Sequence, residues 1–135
     1  MKKLNHRKLK GIASAVVLSA LFLIACDDTY IVNPQVLTLQ VADTGVTATT
    51  ARLRGQIQIL GTRQILRHGF EVYKNSLTST PIDTGVTTLA TTDTFTIVVT
   101  GLQPQTLYYY WAYARVNSTN VHSGSALQFT TKQVK

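Results

Sequence analysis

Cysteine, glutamate and tryptophan each occur once in this chain of 135 residues, and proline only three times. The lone thiol, Cys26, can form no internal disulfide, so whatever folds here is held by its core. Acid is scarce: Glu71 is the only glutamate, and the aspartates stand at 27, 28, 43, 83 and 93. A hydrolase built on paired carboxylates needs two acids converging in a cleft. Asp43, Asp83 and Asp93 instead each precede threonine in stretches that read as turns. Past the first ten residues the only histidines are His68 and His122, too few for a metal site of three or four ligands. His122 neighbours Ser123, but no motif around them presents an activated serine. His68 reads as a core or strand-face residue and His122 as a loop residue. The expectation is a protein without catalysis, cofactor or metal.

Positive charge is plentiful but badly placed for nucleic acid. The formal charge is +7 and the isoelectric point about 9.8. Five of the thirteen basic residues lie in the first ten, leaving eight scattered ones against six acids from Cys26 onward. Phosphate binding needs concentrated charge, so no nucleic-acid partner is expected.

The chain opens on a cationic head, MKKLNHRKLK, followed by fifteen uncharged residues, Gly11 to Ala25. As a helix these span about 22 Å, short of the roughly 30 Å of a bilayer core, which fits the apolar region of a signal peptide. Leu23-Ile24-Ala25-Cys26 resembles the lipobox of bacterial lipoproteins. The resemblance implies diacylglyceryl attachment at the Cys26 sulfur and cleavage between Ala25 and Cys26, usually with acylation of the freed amine. Two or more acyl chains anchor a protein stably where one does not. Asp27-Asp28 resembles a surface-display signal of some Gram-negative lineages, and Asp27 a retention signal of others. The expected division is 1–25 signal peptide, 26–34 lipidated cysteine and linker, and 35–133 one folded domain. The expected location is a membrane-anchored lipoprotein at the outer membrane or cell surface of a Gram-negative bacterium.

From Gln35 on, short β-branched and aromatic runs alternate with Gly, Pro, Asn, Asp and Ser, and no helical apolar period appears. Strands are expected at about Val36–Val41, Ala51–Leu60, Ile65–Lys74, Phe95–Thr100, Leu107–Val116 and Ser125–Thr131. One or two short edge strands are expected near Pro81 and Val86–Leu89. Leu53, Ile57 and Ile59 alternate with Arg52, Arg54, Gln56 and Gln58, marking one dry and one wet face. Leu66, His68, Phe70 and Val72 stand in phase, as do Phe95, Ile97 and Val99, and Leu127 with Phe129. Leu107–Val116 is apolar or aromatic on both faces, with Tyr108, Tyr110, Ala112, Ala114 and Val116 on one and Tyr109, Trp111, Tyr113 and Arg115 on the other. Such a strand is central. The expected fold is all-β, a two-sheet β-sandwich of about seven strands.

The segment Leu102-Gln103-Pro104-Gln105-Thr106-Leu107-Tyr108 resembles the tyrosine corner of fibronectin type III domains. With RHGFEVY at 67–73, the run at 100–118 and LQFTT at 127–131, the chain looks like the fibronectin type III-like modules of Gram-negative surface proteins. The likeness covers about Val36 to Thr131. It implies an immunoglobulin-like sandwich in which Leu102 and Pro104 shape the corner and the Tyr108 hydroxyl reaches back to upstream backbone. The chain departs from that pattern in having no tryptophan in the second strand, and Trp111 where related modules often carry a polar residue. No Arg-Gly-Asp is present. The candidate binding face is Tyr109, Trp111, Tyr113 and Arg115, a row suited to stacking a glycan or anchoring a protein partner. The plainer reading of the same row is cross-strand packing, with Tyr73 as companion. The alternative role is that of a structural accessory of an envelope assembly, joined by strand pairing at the open edge of the last strand.

Overall fold

The computed structural model describes residues 29–135. The signal segment, the Ala25–Cys26 junction and Asp27-Asp28 lie outside the described residues. Eight strands follow in order: β1 (Gln35–Leu39), β2 (Ala51–Ile59), β3 (Ile65–Lys74), β4 (Ile82–Asp83), β5 (Thr94–Val99), β6 (Leu107–Val116), β7 (Thr119–His122) and β8 (Leu127–Thr130). A single 3-10 turn, Asp43–Gly45, connects β1 to β2. One sheet runs β1-β2-β5 and the other β4-β3-β6-β7, with β8 also paired to β6. Every pairing is antiparallel. The result is a two-sheet β-sandwich.

The dry faces meet as the alternation requires. Leu53 and Ile57 of β2, Val36 of β1 and Val99 of β5 face Phe70 and Val72 of β3, Tyr110, Ala112 and Ala114 of β6, and Phe129 of β8. Each fully buried side chain of this size contributes about 1.5–3 kcal/mol. His68 is buried in the same layer, its ring edge-on to Phe95 at 4.9 Å. Its Nδ1 has no hydrogen-bond partner, and burial lowers its pKa.

Three features differ from the expectation. Leu66 points outward and is 47% exposed, because a bulge between Ile65 and Arg67 lets Ile65 take the inward place. Ile59 keeps its phase but is solvent-exposed where β2 runs past the end of the core. The last strand is two strands. β7 pairs with Tyr113–Val116 and β8 with Leu107–Tyr110, so the hairpin turns at Asn117-Ser118 instead of beginning at Ser125. Asn117 adopts φ 55°, a left-handed state that asparagine tolerates. Of the edge strands, only Ile82–Asp83 forms, and Val86 contributes one isolated bridge to His68.

The break between β7 and β8 leaves the Ala112 N–H without a strand neighbour, and Thr38 of the other sheet supplies one. The N–H donates to Thr38 Oγ1 at 2.8 Å, and that hydroxyl also pairs with Ser123 Oγ. One residue pair away, the Tyr110 hydroxyl donates to Leu39 O and accepts from the Val41 N–H, both at 2.9 Å. The Tyr108 hydroxyl accepts from the Gln103 N–H at 2.9 Å. Leu102 is buried beside it and donates its N–H to Thr49 O at 3.0 Å, while Pro104 O accepts from the Thr106 hydroxyl at 2.8 Å.

At the N-terminal side, Val32 and Thr62 exchange hydrogen bonds, Thr62 N to Val32 O at 2.9 Å and Val32 N to Thr62 Oγ1 at 3.1 Å. Gly61, at φ 76°, permits the contact, since a Cβ there would strike Val32 O. Ordered packing therefore begins by Val32, slightly ahead of β1.

Removing the Tyr110 hydroxyl should leave Leu39 O and Val41 N–H buried without a partner. Tyr110→Phe is expected to lower stability by about 1–3 kcal/mol in urea unfolding, with Tyr109→Phe, on the half-exposed side, changing it by less than about 0.5 kcal/mol.

Candidate functional site

The outward face of the larger sheet gathers the side chains that the core does not use. Strand register sets Glu71 beside Trp111, Tyr73 beside Tyr109, Gly69 beside Tyr113, and Arg67 beside Arg115. On the other flank His122 lies beside Tyr113 and Asn120 beside Arg115. Glu71 is the hub. Its Oε2 accepts from the Tyr73 hydroxyl at 2.8 Å and the Trp111 indole N–H at 3.2 Å, and lies 3.0 Å from His122 Nε2. Its Oε1 accepts from the Asn120 amide at 2.8 Å, and Asn120 Oδ1 in turn accepts from Arg115 Nε at 2.7 Å. Around this carboxylate Trp111 meets Tyr73 edge-on at 5.9 Å and His122 at 4.8 Å between ring centroids.

A second carboxylate organises the β4 side. Asp83 pairs with Arg67 at 3.0 Å and accepts from the Tyr113 hydroxyl at 2.7 Å and the Gly85 N–H at 2.9 Å. Arg67 also donates to Gly85 O at 3.0 Å. The segment 84–86 is drawn back over β3 by reciprocal backbone bonds between His68 and Val86, at 3.0 and 2.7 Å. Glycine is required at 85, since a Cβ would strike the Tyr113 hydroxyl.

Burial alone would raise the Glu71 carboxyl; hydrogen bonds from Tyr73, Trp111 and Asn120, with the nearby His122, outweigh it and hold the group below its usual range. Asp83 follows the same pattern, with burial opposed by the Tyr113 hydroxyl, the Gly85 N–H and the charges of Arg67 and Arg115. Burial and the adjoining carboxylate push the Tyr73 phenol up to about 12, and raise that of Tyr113 as well. Glu71 is thus a saturated, ionised acceptor that orders its donors. It and His122 are two potential metal ligands, and no group of three or more His, Cys, Asp or Glu gathers among the described residues.

Of the four residues read from the sequence as a binding row, Tyr109, Trp111 and Arg115 are partly exposed on this face. Tyr113 is not: it is 0% exposed, covered by the 84–86 segment, and serves as a packing and hydrogen-bonding residue. His122 sits on β7 rather than in a loop, and Asp83 on β4 bonds a side chain rather than only shaping a turn. Sequence reasoning passed over Glu71, Asn120 and Arg67. The signal available for Glu71 was its uniqueness, together with its outward place between Phe70 and Val72. For β7 it was the dipeptide Asn117-Ser118 between two extended stretches.

No family model matches the chain, and no curated protein does. Among solved structures, the chain is similar to one of the sensor domain of the anti-sigma factor RsgI4 in Pseudobacteroides cellulosolvens. The likeness has a TM-score of 0.58 at 13% identity, over 78% of this chain and 100% of that one. A solution structure of the same sensor domain matches with a TM-score of 0.55 at 14% identity, over 74% and 76% of the two chains. At such identities the likeness is one of fold.

Acid should weaken the fold in two stages. The unfolded chain takes up a proton at His68 near pH 6.5 and the folded chain only at lower pH, so stability drops as pH falls below 6.5. Glu71 and Asp83 have folded values below their ordinary 4.5 and 3.8, so their contribution is present above about those values and is lost on further acidification. Urea midpoints against pH should show both slopes. His68→Leu should flatten the first, and the Glu71→Gln/Asp83→Asn pair the second.

Proposed function

We propose that this chain is a lipid-anchored module of a bacterial cell envelope that acts by binding, without catalysis. Its ligand, a glycan or a protein, is held on the outer face of β3, β6 and β7. The anchor reading rests on the cationic head, the apolar run and the Leu23–Cys26 motif, with the diacylglyceryl group on Cys26. An outer-membrane or cell-surface location in a Gram-negative bacterium belongs to this reading: Asp27-Asp28 resembles a display signal in some lineages, while Asp27 resembles a retention signal in others. A fibronectin type III-like assignment is supported by the strand order and by the backward reach of Tyr108.

One observation carries the binding reading. Tyr109, Trp111, Arg115 and His122 stand partly exposed on one face, and the last three are held directly or through Asn120 by the buried side of Glu71. A surface ordered before its ligand arrives loses less conformational freedom on binding, and aromatic and arginine side chains dominate such surfaces. The outer face of the opposite sheet offers Arg52, Arg54, Leu37, Val98 and threonines, and no aromatic side chain among the described residues. The similarity to sensor domains agrees with a domain that is met by something else, and is a likeness of fold.

A second reading, an accessory joined by strand pairing, is favoured by one feature. β7 and β8 both pair with β6, and neither has a further strand beyond it among the described residues. Fixed-stoichiometry co-purification from detergent extracts would support it.

The test is affinity for glycans on an immobilised panel and for proteins of an envelope extract. Trp111→Ala and Tyr109→Ala are each expected to weaken the captured interaction at least about tenfold while unfolding stays cooperative. Arg54→Ala, on the other sheet, should leave it unchanged. Unchanged binding by the Trp111 and Tyr109 variants would overturn the proposed face.

A further inference from the structure

The end of the sandwich where Val32 is tied to Thr62 carries apolar side chains with nothing over them. Leu89 is 82% exposed and Ile31 54%, and Ile59, Leu60 and Leu66 are also open to solvent. They belong to neighbouring segments. Leu60, Arg63, Ile65, Leu89 and Ala90 line one shallow depression of about 250 Å³, and Ile31 adjoins the Val32–Thr62 bonds. Leu66 follows Ile65, whose partner is Val116 at the last residue of β6. Exposed apolar side chains gathered at one end of a domain mark an interaction site.

Covalent geometry indicates what covers them. Five residues lie between Cys26 and Val32, six Cα–Cα steps, so the Cys26 Cα lies within about 22 Å of Val32 whatever path the chain takes. β6 is ten residues long and spans about 33 Å, so the corner at Leu102–Pro104 stands at the far end of the molecule. An acyl chain on Cys26 therefore holds this apolar end within about 22 Å of the bilayer surface, a limit that the far corner does not share. Charge at this end is mixed: Arg63 lies in the same loop, Asp93, whose carbonyl bonds Ile57, is the acid of the folded domain nearest by register, and Asp27 and Asp28 lie in the tether.

We propose that this end, through Ile31, Leu60, Leu66 and Leu89, seats on the lipid headgroup and acyl boundary of the membrane that holds the anchor. The domain then stands on the membrane with β3 and β6 running away from it and the Trp111 face turned sideways. The contact is apolar, so it needs no anionic lipid and resists salt. The inference rests on the proposed acylation of Cys26 and goes beyond it, since a tether alone would leave these side chains in water.

The test uses the full acylated protein in phosphatidylcholine vesicles. With Cys26 in thioether linkage, Gln64→Cys supplies a single free thiol for a fluorescent label, and Gln103→Cys a control at the far end. Brominated phosphatidylcholine should quench the label at 64 and leave that at 103 unaffected, equally at low and high salt. Adding Leu60→Ser and Leu89→Ser should cut the quenching at 64 at least threefold. Quenching that survives those two substitutions would show proximity by tether alone and overturn the seating, as would labels at 64 and 103 quenched alike. Intact mass lacking the diacylglyceryl group would overturn the anchor itself, and with it this inference.

Discussion

A phenol hydroxyl removed from water must find a hydrogen-bond partner or forfeit about 1–3 kcal/mol, and β6 buries three of them. Tyr108, Tyr110 and Tyr113 are all nearly or wholly inaccessible. Each meets the requirement in a different segment: Tyr108 at Gln103 before β6, Tyr110 at Leu39, which ends β1, and Val41 just beyond it, and Tyr113 at Asp83 on β4. One strand thereby fixes three segments distant from one another in sequence. In a chain with a single cysteine, these hydroxyls perform the cross-linking that disulfides supply to many small exported domains.

The same logic shapes the outward face. Two carboxylates, Glu71 and Asp83, collect the donors of β3, β6 and β7, and both are held ionised by the hydrogen bonds they accept. A face with this much aromatic surface would be mobile if its polar atoms were left to solvent. Glu71 instead gives Trp111 and His122 one orientation. The binding role proposed for that face depends on this rigidity. The proposed seating of the apolar end near Val32 and Leu89 on a membrane would present this face sideways, toward partners in the envelope or outside it.

The strands were legible where one face is wet and the other dry. β2 alternates arginine and glutamine with leucine and isoleucine, and β6 is too aromatic to be anything but central. β7 was illegible because its four residues include one aliphatic, Val121, and its place is set by a two-residue turn. Leu66 misled because apolar character does not reveal a bulge, and the bulge hands the inward position to Ile65. The burial of Tyr113 was beyond local reading altogether. It depends on Gly85, 28 residues upstream, in a stretch whose composition is that of a loop. Glu71 was visible as a rarity, but its four donors come from three strands, and only the register brings them together.

The central claim is that buried tyrosine hydroxyls of β6 hold the surrounding loops at the full stability of the fold. Native-state hydrogen exchange at the Val41 and Gln103 amides tests it most directly. Both amides lie outside the strands and donate to a tyrosine hydroxyl. They should exchange only through global unfolding, with the same protection as Phe70 or Ala112 in the core. Exchange at the rate of an open loop, with the core still protected, would mean that the hydroxyls decorate the loops rather than fasten them.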